Sequence, residues 1–127
     1  MTNSKTILIT GSNRGIGLEL VKESLTKNFS VVGTFRNKNN AKELLKLKSN
    51  NLKLFEMDVV KENSILNVSN NIDYTIDYLI CNAGINNGYG GIFDQDHSYE
   101  KMLEVLNVNV LGCILTIKHF TRNLRKN

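Results

Sequence analysis

The octapeptide Thr10-Gly11-Ser12-Asn13-Arg14-Gly15-Ile16-Gly17 decides the fold of this chain. It follows the apolar run Thr6-Ile7-Leu8-Ile9 and opens a helical pattern in which Ile16, Leu18, Leu20, Val21, Ser24 and Leu25 give a broad apolar face. A tight glycine turn between a buried strand and a helix presents the helix's free N–H groups and the positive end of its dipole. Glycines let a diphosphate come close to that backbone. The stretch therefore reads as the start of a dinucleotide-binding βαβ unit. Its spacing, G-x-x-x-G-x-G, differs from the ordinary G-x-G-x-x-G fingerprint. It also lacks the downstream Lys that a nucleotide-triphosphatase phosphate loop requires.

Outward from this turn, residues 5–10 read as a buried strand and residues 15–27 as a helix stopped at Asn28. Ser30–Phe35 is a second strand. Asn39 or Asn40 caps a short helix to Lys48 with Ala41, Leu44, Leu45 and Leu47 inward, Asn50-Asn51 turns, and Leu52–Glu56 is a third strand. Residues 61–71 form a helix carrying Ile65, Leu66 and Val68, and residues 76–81 a fourth strand. A Gly/Asn-rich loop over 82–97, centred on Asn86-Asn87-Gly88-Tyr89-Gly90-Gly91, is of the length that is usually functional or mobile. Ser98 caps a last helical stretch to about Arg125. Strict alternation of strands and helices implies a parallel sheet with helices on both faces. The apolar runs Ile7-Leu8-Ile9 and Leu79-Ile80-Cys81 suit strands buried on both sides. No linker or repeat interrupts the pattern, so residues 1–127 read as one domain.

Composition narrows the function classes. The net charge is +4, with Lys and Arg spread along the chain apart from Arg122, Arg125 and Lys126. Nucleic-acid binding calls for a basic stripe with aromatic platforms, and neither is visible. The two cysteines, Cys81 and Cys113, have no metal-like or CxxC spacing and read as free thiols. Residues 1–5 show no secretory segment, and no unbroken apolar run reaches the ~20 residues of a bilayer crossing. The expectation is a reducing cytoplasm and no membrane partner.

Four motifs fall in the order of one family. They are T-G-S-N-R-G-I-G, Asp58-Val59 after the third strand, Cys81-Asn82-Ala83-Gly84 after the fourth, and Asn107-Val108-Asn109-Val110-Leu111-Gly112 in the last helix. On these the chain resembles the short-chain dehydrogenases/reductases, and more narrowly their C-factor-like, carbonyl-reductase-type branch. The resemblance covers the whole chain but only the first half of such a family member. It implies a Rossmann-type doubly wound α/β sheet in strand order 3-2-1-4, cut after about four strands, with the far edge of the fourth strand open. That edge and the Val110/Ile114/Ile117 surface would invite self-association.

The resemblance also implies a coenzyme site made of Gly11, Ser12, Asn13, Arg14, Gly15, Ile16 and Gly17 at the phosphate turn, with Asp58 and Val59 at the adenine and Asn82, Ala83 and Gly84 near a ribose. Asn109 matches the family's catalytic Asn, which kinks its helix and holds a water of a proton relay through its backbone carbonyl. The family usually has Asn where Cys81 stands, a departure that bears on strand packing. Charge argues for NADP(H) over NAD(H). An acid near Phe35 would grip the ribose 2′-OH, and the strand ends instead Gly33-Thr34-Phe35-Arg36. Arg14 and Arg36 suit a 2′-phosphate, because charge-assisted bonds are the stronger ones.

The family's carbonyl chemistry also needs a Ser, a proton-donating Tyr and a Lys four residues after that Tyr. Tyr74, Tyr78, Tyr89 and Tyr99 are followed at that spacing by Tyr78, Asn82, Phe93 and Leu103. The expectation is a truncated oxidoreductase for an unknown small carbonyl substrate, inactive by itself. The alternative is a non-catalytic nucleotide-binding or partner-binding remnant, a pseudoenzyme. A methyltransferase, which shares the strand–turn–helix start, would want an acid where Phe35 and Arg36 stand.

Overall fold

The computed structural model describes residues 4–87 and 90–126. Met1 to Asn3, Asn127 and the Gly88-Tyr89 centre of the expected loop lie outside them. Strand β1 (Thr6–Ile9) leads through the glycine turn into α1 (Gly15–Thr26). Then come β2 (Ser30–Phe35), α2 (Lys42–Lys46), β3 (Leu52–Glu56), α3 (Glu62–Asn70) and β4 (Tyr78–Ile80). Helix α4 (Tyr99–Leu106), a π-helical segment (Asn107–Leu111) and α5 (Gly112–Phe120) run on without a break. The four strands form a parallel sheet in the order β3-β2-β1-β4.

Each face of the sheet has its own core, as period-two alternation demands. Ile7, Ile9, Val31 and Phe35 meet Leu18 and Val21 of α1 and Leu44 of α2 on one face. Leu8 and Val32 meet Ile65 and Val68 of α3 and Phe120 of α5 on the other. Side chains buried this completely contribute about 1.5–3 kcal/mol each. Helix α1 ends where Asn28 takes φ 60°, the left-handed conformation that asparagine tolerates better than most residues.

Several local expectations need correction. The helix after β2 is shorter and starts differently: a 3₁₀ turn, Lys38–Asn40, is capped by the side chain of Asn37, which accepts from the Asn39 amide at 2.8 Å, and α2 follows only at Lys42. Leu45 is exposed on α2, and Ile16 at the start of α1 is 75% exposed, outside its apolar face. Strand β4 is three residues long, and Leu79, Ile80 and Cys81 are only half-buried because β4 is the edge of the sheet.

That edge is closed at one point. Residue 124 returns beside residue 76 in a parallel bridge, with the Ile76 amide donating to Asn123 O (2.7 Å) and the Arg125 amide to Ile76 O (2.9 Å). The helical stretch Tyr99–Asn123 is also long and apolar enough to cross a membrane by length and composition, with mean hydropathy 1.3 over its most apolar window. Asn107 and Asn109 break the stretch, so it does not read as one apolar run in the sequence.

Candidate functional site

The carboxyl ends of β1, β2 and β4 converge on a cleft of about 720 Å³, within the size range of small-molecule and coenzyme sites. One wall is the glycine turn. Arg14 stands before α1 in an extended conformation, and no side chain caps the helix, so the first-turn N–H groups remain available to an anion. Gly11 at φ +66° lies so close to the segment after β4 that a Cβ would sit 2.8 Å from Ala83 Cα. A Cβ on Gly17 would sit 2.2 Å from Gly11 O, whereas one on Gly15 would meet nothing within 4 Å. The first and last glycines therefore pack helix, turn and strand together. The middle one, at φ +54°, shapes the turn and leaves open space above it.

The opposite wall is stitched to this turn by Thr10 and Asn82. Thr10 Oγ1 accepts from the backbone amides of Asn82 (3.1 Å) and Ala83 (3.0 Å), and Asn82 Nδ2 donates to Thr10 O and Gly11 O, both at 3.1 Å. Thr10 is buried, and its positioning role was not read from the sequence. Beside this wall, Asn109 Oδ1 accepts from the Ile85 amide (2.8 Å) and its Nδ2 donates to Ile85 O (2.9 Å). This two-way bond fastens the loop after β4 to the π segment, whose extra backbone residue is a feature frequent at functional sites.

At the third side, Asp58 Oδ1 accepts from the Val60 amide (3.2 Å) and Oδ2 lies 3.7 Å from Lys61 Nζ, so the carboxylate also shapes its own turn. Gly112 of α5 presses on Val59, where a Cβ would come within 2.8 Å of Val59 Cγ2. Arg36 and Asn37 follow β2 into the cleft, and Asn40 joins them.

The cleft gathers Gly11, Asn13, Arg14, Gly15, Ile16, Gly17, Arg36, Asp58, Val59, Asn82, Ala83 and Gly84. Ser12 is not part of its lining: the residue is buried, and its hydroxyl donates to Ile9 O at 2.7 Å. Asn109 lies behind the lining, touching Gly84 and Ile85. Asn37, Asn40, Met57, Ile85 and Val108 also line the cleft, a placement that the sequence motifs do not assign them. Their positions depend on turns and on helix packing, which residue type alone does not reveal. Cys81 is a free thiol pushed up to about 12, by burial first and by the neighbouring Cys113 thiol second.

A family model described as short chain dehydrogenase matches residues 5–127. The chain belongs to the short-chain dehydrogenase family. Members of this family are oxidoreductases that bind a nicotinamide dinucleotide. Among curated relatives, 3-oxoacyl-acyl-carrier-protein reductase FabG of Buchnera aphidicola (subspecies Baizongia pistaciae) is 32% identical over 99% of this chain and 52% of its own length. Estradiol 17-beta-dehydrogenase 1 of Rattus norvegicus is 29% identical over 98% of this chain and 38% of its own. A solved structure of ElxO with NADP bound superposes with a TM-score of 0.81 at 27% identity, over 94% of this chain and 50% of that one. The chain spans about half the length, or less, of the curated relatives it matches.

Proposed function

We propose that this short-chain dehydrogenase chain binds NADP(H) and forms the coenzyme half of an oxidoreductase acting on a carbonyl/alcohol pair. The observation that carries this reading is the convergence, in one cleft, of an uncapped helix start, an open glycine at Gly15 and the two guanidinium-bearing residues Arg14 and Arg36. The residues present fit the coenzyme. Gly11, Gly15, Ile16 and Gly17 would hold the diphosphate, Arg14 and Arg36 the 2′-phosphate, Asp58 the adenine amino group, and Asn82 to Gly84 a ribose. NADP bound to ElxO supports this choice over NAD, and the names of the reductase and dehydrogenase relatives support the carbonyl/alcohol class. The coenzyme would supply a hydride. The chain's own residues orient it, and Asn109 holds the neighbouring loop.

The reading includes two further points. None of the four tyrosines has a Lys four residues on, and a positioned proton donor contributes about 10²–10⁴ in rate. These 127 residues alone therefore bind coenzyme and turn over carbonyls negligibly, which is also what a non-catalytic member of the family would do. The exposed surface of α4 and α5 beside the β4 edge favours self-association.

Titration of nicotinamide fluorescence tests the central point. NADPH binds more tightly than NADH, and Arg14→Ala or Arg36→Ala weakens NADPH by about tenfold, the scale of one charge-assisted hydrogen bond, with little change for NADH. Equal dissociation constants for the two coenzymes, or a preference for NADH, would refute the reading. NADPH oxidation at the rate of a full-length relative would refute the expected lack of turnover.

A further inference from the structure

Among the described residues, one side-chain hydrogen bond joins the glycine turn to the segment that follows β2. Asn13 Nδ2, in the glycine turn, donates to the backbone carbonyl of Asn40 at 3.1 Å, across 27 residues of sequence. Asn40 closes the 3₁₀ turn that follows Arg36. That turn is organised within itself: Asn37 Oδ1 takes the Asn39 amide, Asn37 O takes the Asn40 amide at 3.1 Å and Lys38 O takes the Ala41 amide at 3.1 Å. Beyond it the chain is anchored, because Ala41 is fully buried in the core that α1 shares with β1 and β2. Before it, Phe35 is buried in the same core. The segment 36–40 is thus a small rigid bracket, fixed at both ends by the core and, among the described residues, tied at its tip to the glycine turn by the Asn13 side chain.

Resting on the NADP(H) reading of this cleft, we propose that Asn13 is a positioning residue for coenzyme discrimination. It carries no charge to offer a phosphate, but its amide holds the bracket that carries Arg36 and Asn37 at a fixed distance from Arg14. Both arginines have exposed, flexible side chains. A pair of such chains recognises a phosphate well only if their backbones are already placed, since otherwise binding must also order the loop between them. Removing the amide frees the tip of the bracket. The 2′-phosphate then loses the benefit of a preformed site, while a coenzyme without that phosphate loses little. A direct contact from Asn13 to the diphosphate, which both coenzymes share, would weaken the two equally.

The test compares NADPH and NADH dissociation constants in the parent chain, Asn13→Ala and Asn13→Gln, with thermal unfolding of each to confirm an unchanged fold. In Asn13→Ala the NADPH preference falls about fivefold, the scale of one net hydrogen bond. Asn13→Gln keeps an amide donor and restores most of it. A preference in Asn13→Ala within about twofold of the parent, or an equal fall in Asn13→Gln, overturns the inference. A parent chain that binds neither coenzyme, or both alike, sinks the reading of the cleft and this inference with it. A parent that prefers NADPH beside an alanine variant that keeps the same preference sinks this inference alone.

Discussion

Strand β1 has two very different flanks. On the β2 side it pairs over four residues, β2 pairs with β3 over five, and the cores on both faces are filled. On the β4 side it pairs over three, and beyond β4 the only pairing among the described residues is the bridge between residues 76 and 124. The helix next to that edge shows Leu106, Val110, Ile114 and Ile117 to solvent. The residues that line the cleft lie on, or are stitched to, the first flank. One flank supplies its own packing and the other does not, so the walls of the cleft rest mainly on the closed flank.

The comparison breaks most sharply at the glycine turn. Gly17→Ala places a methyl group 2.2 Å from the backbone Gly11 O and 2.5 Å from Asn82 Nδ2, which is itself bonded to Thr10 O and Gly11 O. The cost is about 3 kcal/mol or more, and the variant loses both denaturant midpoint and NADPH binding. Gly15→Ala meets nothing within 4 Å and suffers only from its φ of +54°, about 1–2 kcal/mol. Two glycines two residues apart should thus differ clearly in urea unfolding. Equal midpoints for the two variants would mean that the first flank is not closed as tightly as the geometry shows.

How much of this was legible in the sequence follows from the kind of signal each feature leaves. Strands β2 and β3 are bounded by turn residues and apolar runs, and their limits read directly as Ser30–Phe35 and Leu52–Glu56. Ser98 reads as a cap, and its hydroxyl takes the Lys101 amide. The glycine turn and the Asn82 to Gly84 wall are visible through their ordered motifs. Three features are not. The Asn37 cap sits among Asn37, Asn39 and Asn40, and residue type does not say which of several asparagines bonds back to the chain. The π segment adds one residue to a turn and leaves the hydrophobic pattern on either side intact. The role of Thr10 is tertiary, since its partners Asn82 and Ala83 lie more than 70 positions away.

A smaller effect probes the seam between the flanks. Asp77 joins the start of β1 to β4: its Oδ2 takes the Thr6 amide at 2.8 Å, and its Oδ1 faces the Arg125 guanidinium. The Arg125 contact first, and the Thr6 amide second, hold its carboxyl below the usual carboxylate range. A carboxyl lowered in the folded state stabilises fully above its unfolded pKa of about 3.9, and that contribution is lost as pH falls toward the folded value. The melting temperature of the parent therefore exceeds that of Asp77→Asn at pH 6, and the gap narrows at pH 3. Glu62, lowered by Lys118 and then His119, titrates in both proteins and cancels from the difference. A gap that stays constant between the two pH values would remove Asp77 from the seam.

The smallest change in stability is expected on the open flank, where the largest change in assembly should appear. Ile114 is 55% exposed and Val110 46%, so neither contributes much to the core of a single chain. Lysine is a better helix former than isoleucine, and Ile114→Lys leaves its charged head in water. The denaturant midpoint should move by no more than about 0.5 kcal/mol in equivalent stability. The same substitution puts a charge in the middle of the exposed apolar stripe, where an association driven by burial of that stripe must desolvate it. Sedimentation velocity of the parent shows associated species that shift toward monomer in Ile114→Lys, at unchanged NADPH affinity. An identical sedimentation profile in the two proteins would show that this helix face is not what draws the chains together. A fall in NADPH affinity would show that the two flanks are coupled after all.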